Sequence, residues 1–348
     1  MPFAPLQYSL TAVAALLVLH GAAAARDRIH IVGSSTVFSL AAVVAERFGK
    51  TTQFKTPVVE STGTGGGLKL FCGGIGVRRP DIANASRRIT ASEVALCAGN
   101  GVKHITEVEI GFDGIVIANS AKAARANLTK RQIFLALAKS VPADASGGKL
   151  IANPNRRWSD IDASLPEARI RVLGPPPTSG TRDAFVELAM AGGCETFPAV
   201  ARLKKIDNKK FKAICHGIRE DGFYVEAGEN DNLIVRKLVA DPDAFGIFGF
   251  GFLDQNADKV RGAVIDGVAP TFPNIASGRY GIARSLYFYV KGAHVRAIPG
   301  IREYIHTFTS EAAWGPDGYL AERGLIPLPD GARREMRAAA LKLAPLRR

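Results

Sequence analysis

Apolar and polar positions alternate along the chain in a repeating unit. Residues 29–32 form a short apolar run that ends in Gly33-Ser34-Ser35-Thr36, and residues 37–48 then carry apolar side chains at helical spacing. That unit reads as strand, polar turn, helix. It recurs at 57–59, followed by the turn 61–67 and a helical stretch from Leu68. It recurs again at 81–85, followed by Ser86-Arg87-Arg88, with Ser92 capping a short helix to Cys97. Further on, 114–118 is a strongly apolar strand, and 129–137 is a helix with Thr129 as its N-cap. Residues 170–173 form a strand running into Thr178-Ser179-Gly180-Thr181, and 183–191 has helical spacing. Helices at 231–239 and 302–309 and strands at 244–252 and 286–290 complete the pattern. Such βα alternation predicts an α/β protein with mainly parallel sheets flanked by helices.

The chain has 348 residues, a length that suggests about two domains. The strands at 114–118 and 286–290 are placed as two connectors would be if the chain crossed from one lobe to another and returned. This divides it into a discontinuous lobe I, residues 26–112 and 286–348, and a lobe II, residues 113–285, with a cleft between them.

The first 25 residues contain no Lys, Arg, Asp or Glu, with an apolar run at 10–19 and small residues at 22–25. They read as a signal peptide cleaved near Ala25, which places the mature protein outside the cytoplasm. The four cysteines then meet an oxidising compartment. Four allow three pairings, of which Cys72–Cys97 with Cys194–Cys215 is the simplest. No His pair has metal-ligand spacing, so neither a metal nor a cofactor is expected. Lys and Arg number 45 against 32 Asp and Glu, a net charge of +13. An anionic partner follows, and secretion makes nucleic acid an unsuitable one. Arg333, Arg334, Arg337, Lys342, Arg347 and Arg348 concentrate part of the excess in a tail that reads as a solvated extension of the last helix.

The candidate chemistry lies in three turns, 33–37, 63–67 and 178–181. A helix N-terminus leaves N–H groups unpaired and carries partial positive charge. Glycines let an anion approach, and hydroxyls add donors. Ser34, Thr36 or Thr178 could equally be plain N-caps. Lys69 is followed by Leu70, so the glycine run lacks the nucleotide-loop pattern. Arg87 and Arg88, at the carboxyl end of a strand, suit an oxyanion, although an ion pair with Glu93 is the competing role. Arg182 follows the third turn. Asp81, Asp113 and Asp183 are candidate carboxylates, and Asp183 fits a helix-dipole partner. No Ser-His arrangement is present in the local sequence, so catalysis is not expected.

The chain resembles the periplasmic phosphate-binding proteins of ABC transporters, the PstS-like family, from about residue 29 to 329. The carriers are Gly-Ser-Ser-Thr-Val at 33–37, Ser-Thr-Gly-Thr-Gly-Gly-Gly-Leu-Lys at 61–69 and Asp-Ile-Ala-Asn-Ala-Ser-Arg-Arg at 81–88. Thr-Ser-Gly-Thr-Arg at 178–182, Asp-Gly-Val-Ala-Pro-Thr at 266–271, Asn-Ile-Ala-Ser-Gly-Arg-Tyr at 274–280 and Leu-Tyr-Phe-Tyr-Val-Lys at 286–291 continue the series. The resemblance implies a two-lobed type II binding protein of the Venus-flytrap kind, joined by two hinge strands near 111–114 and 284–286. It implies a monomer that closes on inorganic phosphate in the periplasm and delivers it to an inner-membrane permease. The implied ligands are Ser35, Thr36 and Val37 in the first turn, Thr64 in the second, and Ser179, Gly180 and Thr181 in the third. Two positions depart from the family. Arg87 stands where members carry the Asp that accepts the phosphate proton, and Pro175 stands where they carry an Arg. The expectation is that Arg87 or Arg182 supplies the displaced charge. Sulfate, or phosphoester hydrolysis on the same scaffold, are the alternatives.

Overall fold

The computed structural model describes residues 26–228 and 231–346, so the expected signal peptide lies outside the described residues. A single mixed sheet organises the fold. Its axis is the strand Ile105–Ser120, sixteen residues long. The first part of that strand pairs antiparallel with Ala283–Lys291. The rest pairs antiparallel with Phe245–Gly249 and Val260–Gly262. Outward from Ala283–Lys291 lie Ile82–Ala85, His30–Gly33 and Val58–Ser61, the last three mutually parallel. On the other side, Phe245–Gly249 is followed by Val172–Gly174 and Tyr224–Glu226, again parallel. Two parallel half-sheets are thus stitched together by an antiparallel centre.

The expected strand at 114–118 is only the buried end of this long one. Its earlier part carries Thr106, Glu107 and Glu109, which broke the apolar run. Glu107 is held there by the Tyr289 hydroxyl (3.0 Å) and the Arg88 guanidinium (2.8 Å). Buried apolar side chains gather on either side of the axis. One cluster runs from Phe112 to Ile282 with Ile326 and Leu328. The others join the half-sheet around His30–Gly33 to the helices beside it. Helix Ser35–Thr51 buries Val37, Leu40, Ala41, Val44, Ala45 and Phe48, a one-sided stripe at helical period. Each large side chain fully buried there contributes about 1.5–3 kcal/mol.

The two disulfides form as expected, Cys72–Cys97 and Cys194–Cys215. With separations of 25 and 21 residues, each removes on the order of 3 kcal/mol of unfolded-state freedom in the chain-entropy account.

Several boundaries differ from the sequence expectation. Thr90, not Ser92, caps helix Ala91–Gly99, because Glu93 completes a reciprocal capping box with it. The helical stretch expected from Leu68 begins at Thr64, and the expected strand at 244–252 ends at Gly249, where helix Phe250–Gln255 begins. The helix expected from 183 begins at Gly180 and passes through a π-helical turn, Val186–Met190. The basic tail is not simply solvated. Helix Asp330–Leu341 packs back on the fold, with Arg333 only 5% exposed. Its guanidinium donates to Glu311 (2.9 Å) and to the Leu328 carbonyl (2.8 Å). Arg337 donates to the Thr309 carbonyl.

Candidate functional site

The N-termini of helices Ser35–Thr51 and Gly180–Phe185 meet, one from each half-sheet. A Cβ on Gly180 would lie 3.1 Å from Thr36 Cα, so any larger residue there would push the two backbones apart by a few tenths of an ångström. Ser34 and Ser179 are the N-caps, accepting from the Val37 amide (3.3 Å) and the Thr181 amide (3.2 Å). Ser35 Oγ donates across the junction to Asp183 Oδ2 (2.5 Å). Asp183 therefore does more than complement its own helix dipole. A cavity of about 370 Å³ opens beside this junction, lined by Thr36, Asp113, Ser179, Gly180 and Thr181 with Asp231, Glu322 and Arg323 nearby.

Arg284 stands at the centre of the junction, and the sequence reading did not single it out. It lies on the strand Ala283–Lys291 directly opposite Asp113. Its guanidinium donates to Thr36 Oγ1 (2.8 Å) and to Glu187 Oε2 (2.5 Å). Its Nε lies 3.5 Å from Asp113 Oδ2, and both side chains are largely buried. At that distance the pair is an ion pair without a good hydrogen bond, and Arg284 Nε and Asp113 Oδ2 have no hydrogen-bond partner. Burial raises the Asp113 carboxyl above its ordinary value, with Arg284 opposing the rise.

A second cavity, about 840 Å³, opens on the other side of Arg284. It is lined by Thr64, Gly65, Ser86, Arg87, Arg88, Lys204, Lys212 and His216. The Thr64 hydroxyl accepts the Ser86 amide (3.1 Å) and lies 3.0 Å from Ser86 Oγ. Thr64 and Arg87 therefore sit in the larger cavity, while Thr36, Ser179, Gly180 and Thr181 line the smaller one. Ser35 reaches across the junction, and Val37 turns its side chain into the core.

The two arginines expected to supply the displaced charge are engaged elsewhere. Arg87 makes two hydrogen bonds to Glu93 (2.9 and 2.8 Å), the competing role foreseen for it. Arg182 donates to the Pro175 carbonyl (3.1 Å) and lies over the Tyr224 ring, 4.5 Å from its centroid. Part of the glycine signal also serves packing rather than ligand access. A Cβ on Gly67 would lie 2.4 Å from Gly33 Cα, so these two glycines let the second helix cross the first strand.

Asp81 is not a site residue. It lies at the far end of its strand, accepts the His30 amide (2.7 Å), and pairs with Arg26. His294 donates to it from Nδ1 (2.6 Å) while its Nε2 accepts the Gly76 amide (3.0 Å).

The PBP superfamily domain matches residues 20–312. This chain belongs to the PBP superfamily. Among its relatives in that superfamily, Protein SphX of Synechococcus elongatus is 31% identical over 322 residues, covering 90% of this chain and 81% of SphX. The phosphate-binding protein PstS of Staphylococcus saprophyticus is 25% identical over 279 residues, covering 78% and 73% of the two chains. The crystal structure of a possible phosphate binding protein from Planctomyces limnophilus superposes with a TM-score of 0.71 at 25% identity, covering 91% of this chain and 98% of that one. An ABC-type phosphate transport receptor from Vibrio cholerae shares the fold, with a TM-score of 0.56 at 20% identity. The expected type II, two-lobed binding-protein fold is thereby established.

Proposed function

We propose that this superfamily member captures inorganic phosphate between two lobes and hands it to an inner-membrane ABC permease. The observation that carries the reading is the meeting of two capped helix N-termini, with their hydroxyls, around one largely buried arginine. Such a junction offers backbone N–H groups, the Thr36 and Thr181 hydroxyls and a fixed positive charge to a compact oxyanion. The names of the PstS relative and of the Planctomyces structure support phosphate as the anion.

In this reading the lobes are 26–112 with 286–348, and 113–285, hinged near 111–114 and 284–286. Bound phosphate displaces the half-exposed Glu187 from Arg284 and bridges Ser35, Thr36 and Val37 to Ser179, Gly180 and Thr181. Thr64, Arg87 and Arg182 stand outside this contact set, where the two arginines act on the anion through their field and not by direct contact. The mature chain works in the periplasm as a monomer after removal of the signal peptide. It carries no cofactor, catalyses no reaction and takes no nucleic acid.

A second anion has a specific observation in its favour. The position after Ser86 is an arginine bound to Glu93, so no carboxylate stands there to accept the proton of hydrogen phosphate. Asp113 and Asp183 are the carboxylates at the junction that can do so. Isothermal titration at neutral pH decides: phosphate binding that excess sulfate does not displace supports a carboxylate acceptor. Equal displacement by sulfate assigns a general oxyanion carrier, and no heat with either anion overturns the reading.

A further inference from the structure

Residues 198–215 form a short helical hairpin, Pro198–Ile206 and Asn208–Cys215, that stands at the lip of the larger cavity. Its inner side is well anchored. Val200, Phe211 and Cys215 are buried, and the disulfide ties Cys215 to Cys194. Lys204 and Lys212 face the cavity, with Lys204 held by Glu195 at 2.6 Å.

The outer side is different. Arg202, Lys205, Lys209 and Lys210 are exposed, and among the described residues none is in an ion pair. The acid within 202–212 is Asp207, which is spent accepting the Lys210 amide (3.0 Å) as the cap of the second helix. Ile206 lies at the turn between the two helices, among these cations in sequence, and is 77% exposed, more than any other large apolar side chain described.

We propose that this turn docks on the surface of an anionic phospholipid bilayer, with the cations against headgroup phosphates and Ile206 in the acyl boundary. Three features favour lipid over other anions. The four outward cations do not line the cleft, so steering small anions into it is the task of Lys204 and Lys212 instead. An apolar side chain set among cations at an exposed turn matches the interfacial pattern of peripheral membrane contacts. A fluid headgroup layer needs no matching pocket, and none of the four outward cations lines either cavity described above. Basic residues near an anionic leaflet contribute additively and lose their effect with salt. The proposal rests on the carrier reading only for its purpose, which is to hold the cleft mouth near the membrane that contains the permease.

The test is sedimentation of the processed protein with vesicles of phosphatidylglycerol in phosphatidylcholine and with vesicles of phosphatidylcholine alone. The expected result is binding to the first, little to the second, and release by salt. Replacing Lys205, Lys209 and Lys210 together with Gln should weaken vesicle binding on the order of a hundredfold. Ile206→Ser should weaken it several-fold with every charge retained. Phosphate titration of both variants should match the parent, which shows an intact fold and cleft. Equal vesicle binding by parent and triple variant overturns the proposal. So does failure of the parent to bind phosphatidylglycerol vesicles, including the case where the same lysines are needed only for contact with the permease protein. Loss of phosphate binding by the parent with vesicle binding intact would instead strike the carrier reading.

Discussion

Two clusters of opposite charges lie at the two ends of the same strands, and they are built to different standards. At the far end, Asp81 is fully buried and saturated: the His30 amide, Arg26 and His294 all donate to it. Nearby, Lys291 donates to the Gly74 carbonyl (2.7 Å), and burial has pushed its ammonium down to about 8. At the cleft end, Asp113 and Arg284 are almost as buried, yet they face each other at 3.5 Å with an unpaired atom each. A buried polar network that is fully satisfied specifies a structure, whereas a partly satisfied one holds free energy available to a ligand. In the proposed reading, the difference separates a fastening from a receptor.

The comparison can be broken most severely at the fastening. Asp81→Ala leaves the Arg26 guanidinium without its counter-charge and the His30 amide and His294 Nδ1–H without their acceptor, and should cost about 3–5 kcal/mol of stability in denaturant unfolding. Phosphate affinity of the folded fraction should be unchanged; a large loss of affinity without loss of stability would reverse the roles given to the two ends. The next largest effect belongs to the receptor. Arg284→Ala should weaken phosphate binding by about 2–5 kcal/mol, roughly thirty- to several-thousand-fold in calorimetry. Arg87→Ala removes an exposed ion pair with Glu93 and should change affinity by about 1 kcal/mol or less. If Arg87 proved the more costly of the two, the displaced charge would sit where the sequence alone placed it.

Asp113 sharpens the comparison through pH. Its folded value lies above the unfolded 3.8, so the folded state binds the proton more tightly. Its contribution to stability is therefore greatest below the unfolded value and is lost as pH rises through the raised folded value. Glu109 is raised by burial as well, and carboxylates such as Glu93 and Asp221 are lowered and slope the opposite way, so the readout is the difference between parent and Asp113→Asn. That difference should fall with rising pH across this window and then level off. A flat difference would mean that Asp113 is not strained. A similarly small effect, this time on stability, is Ser35→Ala, which removes the bond to Asp183 between the two helix ends. It should cost about 1 kcal/mol and leave the phosphate-free protein more open in solution scattering.

Much of this fold was legible because its signals are local. An apolar run followed by Gly33-Ser34-Ser35-Thr36 or by Thr178-Ser179-Gly180-Thr181 announces a strand and a capped helix within a dozen residues. Both disulfides close short loops. The turn pattern also pointed to Ser35, Thr36, Ser179, Gly180 and Thr181, which the structure brings to one junction. Arg284 could not be read in this way, since its partners Thr36 and Glu187 are 248 and 97 residues away. The one available hint was its place in the expected hinge segment at 284–286, facing the candidate carboxylate Asp113. Arg333 escaped for the same reason. In a basic tail it looks solvated, and only the fold brings Glu311 beneath it.

The strand that carries Arg284 pairs with Ile105–Ser120 where the two half-sheets join. A charge mounted near an axle travels the least when the two sides swing. An anion arriving at a parted cleft would find this guanidinium already in position, while the hydroxyls on either helix end had yet to arrive. Encounter and grip then become separable events. The rate of the first should depend on the ionic strength around one arginine, and the lifetime of the second on how many donors the swing delivers.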